Sequence, residues 1–279
     1  MKKVAGPVKP GSKKTLNRDR HLIDNALRKY LAGLKGPEVL RRAMRYAVLG
    51  GGKRLRPILV LESARALGGD AKKALPFACA LELIHSFSLV HDDLPSMDDD
   101  DFRRGKPSCH KKFGEGIAIL AGDGLLNLAF GTLAVAKHPN ASKIALVLSE
   151  ATGSRNMIGG QVLDLEYQRR RSKDKAHERN INRMKTAALM AASCTIGALA
   201  ARAPKRYARK MHDFGINLGL AFQIADDIRD SSYKGKELAQ MRKETSALIL
   251  KARKTLATMG KKADVLNTIA DKVLKRAEL

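Results

Sequence analysis

Aromatic residues are scarce in this sequence, and tryptophan is absent: Phe, Trp and Tyr together make up 4% of the 279 residues. Clusters of Val, Thr and Tyr are also few, whereas Ala and Leu fill most of the apolar positions. Because aromatic and β-branched residues favour strands while Ala and Leu favour helices, this composition favours a helical protein over a β-sheet protein.

Acidic residues are outnumbered, with 28 Asp and Glu against 53 Lys and Arg, and the formal net charge is +25. Such a charge serves solubility or attracts anionic partners, among them nucleic acid, anionic lipid and phosphorylated substrates. No zinc-finger spacing and no aromatic RNA-binding signature is present, so we expect no specific nucleic-acid binding. We interpret residues 1–20 as a disordered basic tail that makes at most weak contacts with anionic surfaces.

Cysteine is limited to three widely separated residues: Cys79, Cys109 and Cys194. An odd, unclustered set indicates reduced thiols in a cytoplasmic protein, not a disulfide framework or a zinc site. The first residues show no signal-peptide pattern. The most apolar stretch, residues 117–136, is interrupted by Asp123 and Asn127, which favours a buried helix over a membrane span.

Apolar residues recur at helical spacing from about Leu22 to the end of the chain. Pro37 and three glycines delimit a helix over residues 38–49, and a long apolar helix runs from Ala74 to about His91. Further helices are predicted over residues 57–67, 118–136, 142–157, 160–168, 181–201, 205–228, 237–259 and 263–276. No strand alternation and no internal repeat stands out. The sequence predicts one all-α domain over residues 21–279, a bundle of about ten helices.

Six carboxylates follow the long apolar helix within ten residues: Asp92, Asp93, Asp98, Asp99, Asp100 and Asp101. They repel one another strongly unless cations neutralise them, although a solvated acidic loop is the simpler alternative. Asp92 and Asp98 are six residues apart, so a regular helix would turn them about 240° from each other. Pro95 breaks the helix and can bend Asp98 back toward Asp92, which makes joint chelation of a cation compatible with the spacing.

A second acidic cluster, Asp226, Asp227 and Asp230, ends another apolar helix. Residues three and four apart share a helix face, and carboxylates at a helix C-terminus meet the negative end of its dipole. Both effects favour bound cations, and ligands that are all oxygen favour Mg²⁺. Two such clusters facing each other would clamp a diphosphate between metal ions and make it a good leaving group.

Basic residues follow the first cluster and also form a separate turn earlier in the chain. A glycine-rich turn over residues 51–57 carries three cations, and Arg103 and Arg104 directly follow the first acidic run. Such turns bring Lys and Arg onto phosphate oxygens, so they indicate a second anion site, with simple charge compensation as the alternative. His85 lies in the apolar helix, where a core role is the commoner one, and Lys185 enters an apolar stretch, where an anionic partner is expected.

The order of these motifs resembles that of the trans-type polyprenyl diphosphate synthases, most closely the short-chain bacterial farnesyl and geranylgeranyl diphosphate synthases. The resemblance covers nearly the whole chain beyond the basic tail, and two Asp-rich motifs with GGKRLRP at family spacing are highly specific. The matching segments are GGKRLRP (51–57), LIHSFSLVHDDLPSMDDDDFRRGKPSCH (83–110), AILAGDGLLNLAF (118–130), GGQVLDLE (159–166), MKTAALMAA (184–192) and FQIADDIRD (222–230).

The resemblance implies the all-α isoprenoid synthase type I bundle, a homodimer with a deep central cavity in each subunit. It implies Mg²⁺, as three ions with the bound diphosphate, or Mn²⁺ in its place. The implied metal ligands are Asp92, Asp93, Asp98, Asp226, Asp227 and Asp230.

The same resemblance implies the substrate contacts. Arg103 and Lys185 would bind the allylic diphosphate, and Thr186 and Gln223 would present oxygens to the allylic cation. The diphosphate of isopentenyl diphosphate would be bound by Lys53, Arg56, His85 and Arg104. The reaction would be ionisation, attack by the isopentenyl double bond and proton loss to the departing diphosphate, without a protein nucleophile. The implied catalytic residues are Asp92, Asp98, Lys185, Thr186, Gln223 and Asp226.

The geometry of the long apolar helix predicts the product length. Ser88 lies one turn before Asp92, and Phe87 lies five residues before it, about 7.5 Å along the helix. If the growing tail runs along this helix, Phe87 forms a floor beneath a short tail. We therefore predict a farnesyl (C15) product, with geranylgeranyl (C20) as the alternative.

Two features depart from the family pattern. The segment after Asp230 is shorter than usual, so that Lys234, Lys236 or Lys243 would have to replace a closing lysine, and Arg229 stands where an apolar residue is commoner. A non-catalytic prenyltransferase subunit therefore stays open as an alternative. A class I terpene cyclase shares the ionisation chemistry, but it needs no second basic site and usually lines its cavity with aromatic residues.

Overall fold

The computed structural model describes residues 10–170, 174–230 and 233–278, without the side chains of Pro10, Lys175 and Asp230. The described residues are helical apart from turns and one short ladder, in which β1 (Phe102–Arg103) pairs antiparallel with β2 (Lys106–Pro107). The helices are α1 (Pro10–Ala32), α2 (Glu38–Leu49), α3 (Leu55–Ala66), α4 (Ala71–Asp92), α5 (Cys109–Phe113), α6 (Glu115–Ala134), α7 (Ala141–Thr152), α8 (Met157–Arg169), α9 (Lys175–Asn182), α10 (Ala188–Ala200), α11 (Lys205–Asp230), α12 (Gly235–Leu256) and α13 (Asp264–Glu278).

Local sequence signals account for several helix ends. The helix predicted over residues 38–49 is confirmed as α2, which follows Pro37 and ends at Gly50. Helix α4 begins three residues before its predicted start, because the side chain of Asp70 caps it by accepting a hydrogen bond from the backbone N–H of Lys72 at 2.8 Å. Asp174 caps α9 in the same way, a helix that the apolar spacing did not predict.

The predicted disordered tail is wrong for residues 10–20, which form the first half of α1. This half packs on the protein: Leu16 and Asp19 are buried, and Asp19 accepts a hydrogen bond from Arg65 of α3 at 2.8 Å. Burial of an amphipathic face stabilises a helix whose polar composition alone reads as disordered. Residues 1–9 lie outside the described residues.

The centre of the bundle is formed by α3, α4 and α10, which are buried on most of their faces. Helices that are apolar all round belong in a core, and here they join one hydrophobic cluster with residues from α1 to α13. Because α4 is held on all sides, its last two turns present His85, Ser88 and Asp92 in fixed positions.

Two helices are long and apolar enough to cross a membrane by length and composition alone, Ala71–Asp92 and Glu115–Ala134. In α4 the most apolar window is 67% buried, as expected of a core helix. In α6 only 39% is buried, and Ile119 and Leu120 are exposed. The helix predicted over residues 117–136 is thus present, but it is buried on one face only.

Candidate active site

A cavity of about 890 Å³ lies between the second half of α4 and the end of α11. It gathers most of the predicted site residues, although they are spread over 174 positions of the chain (53–226). Those in its lining are Lys53, Arg56, His85, Ser88, Asp92, Asp98, Arg103, Arg104, Lys185, Thr186, Gln223 and Asp226. Asp93, Asp227 and Phe87 lie outside the lining, and the side chain of Asp230 lies outside the described residues.

The first acidic cluster bends back on itself as Pro95 predicts. Helix α4 ends at Asp92, and the backbone N–H of Asp98 donates to the carbonyl of Asp92 at 2.9 Å. Burial raises the pKa of Asp92 to about 6; the charge of Lys185 opposes this rise and that of Asp98 adds to it. Two carboxylates held this closely in a partly buried wall are poised to share a cation.

Asp93 does not face the cavity. It is 2% exposed, and its Oδ1 accepts a hydrogen bond from Arg103 Nε at 2.8 Å. Its charge is therefore already compensated by Arg103. The prediction that Asp93 ligates a metal does not fit this arrangement, since consecutive residues at a helix end point in different directions.

The second acidic cluster divides in the same way. Asp226 lines the cavity and forms an ion pair with Arg276 of α13 at 2.6 Å. Asp227 accepts a hydrogen bond from Gln223 Nε2 at 2.9 Å, one turn earlier, and the hydroxyl of Thr186 donates to Gln223 Oε1 at 3.0 Å. Gln223 is thus fixed from both ends, and its orientation places the amide beside the cavity.

Lys185 and Thr186 lie in a five-residue π-helical segment, Arg183–Ala187, between α9 and α10. Such segments are rare and frequent at functional sites, because they re-aim side chains. Lys185 Nζ donates to Asp164 at 2.7 Å. Burial by itself would lower the pKa of Lys185. The hydrogen bond with Asp164 and the charges of Asp92 and Asp98 outweigh this effect and raise its pKa above the ordinary value. It is therefore a permanent cation facing the first acidic cluster.

Cationic side chains also line the cavity. Arg56 Nη1 lies 3.2 Å from His85 Nε2, which must accept because a guanidinium can only donate. Burial, followed by the charges of Arg56 and Arg104, lowers the pKa of His85 well below its ordinary value, so the imidazole is neutral. Arg104 donates to the carbonyl of Gly51 and packs against Gly52.

Gly52 is required at its position. Its φ is +131°, and a Cβ there would lie 2.7 Å from Arg104 Nη1. Arg104 and the turn over residues 51–57 therefore lie together in one basic pocket, and the binding of a second anion there stays a prediction. Arg229 is exposed at the cavity edge.

Several residues of the site were not predicted from the sequence. Gln161 Nε2 donates to Asp92 Oδ1, and Asp164 binds Lys185, both from α8. Arg20 of α1 and Arg276 of α13 add cations to the cavity wall. The segment GGQVLDLE contained the first two, but its residues are compatible with simple helix packing; Arg20 fell in the segment interpreted as a disordered tail.

A smaller cavity of about 240 Å³ adjoins the first along α4. Ser88, Asp92, Met157 and Lys185 border both cavities, whereas Phe87 borders only the smaller one. Phe87 is 6% exposed and meets His91 edge-on, with ring centroids 5.0 Å apart. Its side chain therefore lies beside the space that leads away from Asp92.

Among the described residues, one other group of potential metal ligands lies outside the large cavity. Asp99, Asp101 and His110 bring ligand atoms within 4.8 Å of one another, but Asp101 is paired with Lys111 at 2.7 Å. The carboxylates that face the large cavity are the better candidates for a metal that acts on a bound substrate.

Comparison with known proteins identifies the family. Residues 37–276 match the polyprenyl synthetase family. A farnesyl diphosphate synthase from Geobacillus stearothermophilus is 45% identical over 220 residues, 77% of this chain and 74% of that protein. The large subunit of a heterodimeric geranylgeranyl pyrophosphate synthase from Arabidopsis thaliana is 42% identical over 215 residues, 74% of this chain and 58% of that protein.

The fold agrees with this relationship. The crystal structure of an FPP/GFPP synthase from Zymomonas mobilis, determined without ligand, superposes with a TM-score of 0.87 at 36% identity, covering 95% of this chain and 99% of that one. The predicted all-α isoprenoid synthase fold is confirmed. The chain therefore belongs to the polyprenyl synthetase family, the trans-type prenyltransferases that its two Asp-rich motifs indicated.

Proposed function

We propose that this protein condenses isopentenyl diphosphate with an allylic diphosphate, dimethylallyl or geranyl, and releases farnesyl diphosphate. The observation that carries the proposal is one cavity lined both by carboxylates from two helices and by a group of cationic side chains. A chain-elongating enzyme needs both, because it must ionise one diphosphate while it holds a second one beside it.

The donor set fits Mg²⁺. Asp92, Asp98 and Asp226 reach the cavity with carboxylate oxygens, which hard divalent cations prefer. Cationic side chains now lie against them: Arg276 on Asp226, and Lys185 close enough to affect the pKa of Asp92. We propose that these three aspartates hold the metal ions, with Mn²⁺ as a substitute. Bound there, the ions would neutralise the diphosphate and polarise its ester oxygen.

The remaining residues orient the reactants. Lys185 and Arg103 would hold the allylic diphosphate against the first cluster, and the basic pocket of Lys53, Arg56, His85 and Arg104 would hold the second one. The Thr186 hydroxyl and the Gln223 amide, joined at 3.0 Å, offer oxygens to the developing allylic cation. Orientation and a fixed electrostatic environment would supply the acceleration, since no side chain is placed as a nucleophile among the described residues.

The smaller cavity supports a C15 product. It lies beside Asp92, between the end of α4, the turn that follows and α8, and Phe87 borders it, so an allylic tail bound at Asp92 could enter it. A tail that follows this path meets the ring of Phe87 about 7.5 Å along the helix from Asp92. Geranylgeranyl diphosphate remains the alternative product, because the relatives include synthases named for both.

We also propose a cytoplasmic homodimer. Ile119 and Leu120 of α6, Leu146 of α7, and Ile158 and Val162 of α8 are exposed apolar side chains. Apolar side chains exposed together on neighbouring helices mark an interaction surface, and a second copy of the chain would cover them. Size-exclusion chromatography with light scattering tests the dimer. The predicted contact of the basic tail with anionic surfaces concerns residues 1–9, outside the described residues, and residues 10–20, which are helical.

The function is tested by incubating the folded protein with isopentenyl diphosphate, Mg²⁺ and a C5, C10 or C15 allylic primer, followed by product sizing. We expect C15 diphosphate from the C5 and C10 primers. Lack of elongation with every primer would overturn the proposal and favour the non-catalytic subunit, whereas cyclised hydrocarbons would indicate a terpene cyclase.

A further inference from the structure

Arg54, the central cation of the turn GGKRLRP, is buried in the wall of the substrate cavity. It is 4% exposed, and it lines the cavity together with its neighbours Lys53 and Arg56. All three of its nitrogens are engaged: Nε with Asp24 of α1 at 2.8 Å, Nη1 with Glu82 of α4 at 2.6 Å, and Nη2 with the carbonyl of Val48 in α2 at 2.7 Å. Arg54 therefore connects the turn to three helices.

The backbone of Arg54 is also unusual. Its φ and ψ are 52° and 35°, in the left-handed region that non-glycine residues seldom adopt, and it is the N-cap residue of α3. This conformation ends the glycine-rich turn and starts the helix on which Arg56 lies. A strained conformation persists only where the surroundings hold it, and here the three side-chain contacts do so.

Glu82 connects Arg54 with the charges of the pocket. It is 2% exposed and lines the cavity, and its Oε2 has no hydrogen-bond partner among the described residues. Burial lowers the pKa values of Arg56 and Arg104, and the charge of Glu82 opposes both shifts. Glu82 is thus the counter-charge that allows several cations to converge while no diphosphate is bound.

We propose that Arg54 is a positioning residue: anchored on Asp24 and Glu82, it holds the turn so that Lys53 and Arg56 converge on the diphosphate of isopentenyl diphosphate. The inference rests on the proposed function of this pocket. It also assigns a role in substrate binding to α1, which precedes the part of the chain that matches the family.

A matched control exists in the same part of the fold. Arg65 is a half-buried arginine of α3 that binds two carboxylates, Asp19 of α1 and Glu62, but it does not line the cavity. If Arg54 only stabilises the packing of α1 on α3, replacing either arginine should have similar consequences. If Arg54 positions the basic pocket, only its replacement should weaken the binding of isopentenyl diphosphate.

The test measures the Kd of isopentenyl diphosphate by titration calorimetry, and the KM of both substrates, for wild type, Arg54→Met, Arg54→Lys and Arg65→Met. We expect Arg54→Met to raise the Kd and KM for isopentenyl diphosphate at least tenfold and to change the allylic KM less than twofold. Arg54→Lys should recover part of the loss, and Arg65→Met should change both values less than twofold. Equal effects of Arg54→Met and Arg65→Met, or an unchanged Kd in Arg54→Met, would overturn the inference.

Two other outcomes still test the inference: an Arg54→Met variant that does not fold, and a wild type that elongates no primer. Should Arg54→Met not fold, Asp24→Asn leaves the pair of Arg54 and Glu82 intact and should raise the Kd at least threefold; an unchanged Kd would overturn the inference. If wild type binds isopentenyl diphosphate but elongates no primer, the proposed function fails while the Kd comparison still decides the role of Arg54. A wild type that binds none would refute both.

Discussion

Replacing Phe87 with alanine should lengthen the product. Phe87 borders the smaller cavity and shields the turn of α4 below it, where Leu83 and Ile84 are fully buried. Removing the ring lowers the floor from Phe87 to these two residues. One helical turn is about 5.4 Å, comparable with one isoprene unit, so we expect a C20 product to accompany or replace the C15 product.

The stability cost can be estimated from the same contacts. A buried Phe→Ala change costs about 3–5 kcal/mol, and the lost edge-on contact with His91 is included in that range. Because Phe87 borders a cavity, its side chain makes fewer packing contacts than a Phe in a filled core. We therefore expect Phe87→Ala to lower the free energy of unfolding by about 3 kcal/mol. Urea unfolding would measure this value.

Phe77 provides the control. It lies on the same helix, is 1% exposed, and meets His138 edge-on with ring centroids 5.4 Å apart. It lies about 15 Å farther from Asp92 along α4. Phe77→Ala should therefore lose similar or greater stability without changing product length.

The assay sizes the prenyl products of both variants by chromatography and mass spectrometry, with geranyl diphosphate as primer. Only Phe87→Ala should give C20. The floor assignment is refuted if Phe87→Ala makes C15 alone at unchanged rate, or if Phe77→Ala lengthens the product as well.

Three further predictions concern the metal, its support and the core. Excess EDTA should abolish elongation, and added Mg²⁺ should restore it. Inorganic diphosphate, added with Mg²⁺ at about 100 times its Kd, should stabilise the folded wild type by about 2.7 kcal/mol. Thermal melts should show a much smaller stabilisation for Asp92→Asn. Gln161→Leu should raise the Mg²⁺ concentration needed for half-maximal rate about tenfold or more, because Gln161 orients Asp92. The control Gln168→Leu, at an exposed position on the same helix, should leave this concentration unchanged. Equal concentrations for the two variants would contradict the role of Gln161 in orienting Asp92. Burial, and then its hydrogen bond with Asp19, raises the pKa of Glu62 to about 7, above its ordinary 4.5. The Glu62 carboxyl therefore binds its proton more tightly in the folded protein than in the unfolded chain. As a result, the free energy of unfolding should fall by up to about 3 kcal/mol as the pH rises from about 4.5 to 7. Glu62→Gln should lack this loss, and an identical pH slope in urea melts of both proteins would disprove it.

The helices were predictable where local signals were strong. Pro37 and Gly50 mark the two ends of α2 in the sequence. The helical spacing of apolar residues predicted α4 and α11, each of which ends at an acidic cluster. The first half of α1 was not predictable in this way. Its polar composition reads as disordered, and its helix is stabilised by burial of Leu16 and by the pairing of Asp19 with Arg65 of α3, a contact between residues 46 positions apart.

The motifs indicated which residues belong to the site, but not how each one is used. Asp92 and Asp93 are neighbours in the same motif, yet one faces the cavity and the other is buried against Arg103. Asp226 and Asp227 differ likewise. The direction of a side chain depends on where the helix end sits among its neighbours, which spacing alone does not define.

The sequence by itself determined the helical class, the two Asp-rich motifs, the basic turn and, through their order, the family. These depend on composition and on periods of three to seven residues, which are local properties of a chain. Only the tertiary structure decided that Gln161 holds Asp92, that Asp164 holds Lys185, and that Arg276 pairs with Asp226. Each of these contacts joins residues 21 to 69 positions apart, and such pairs meet only when the apolar faces of their helices pack into one core.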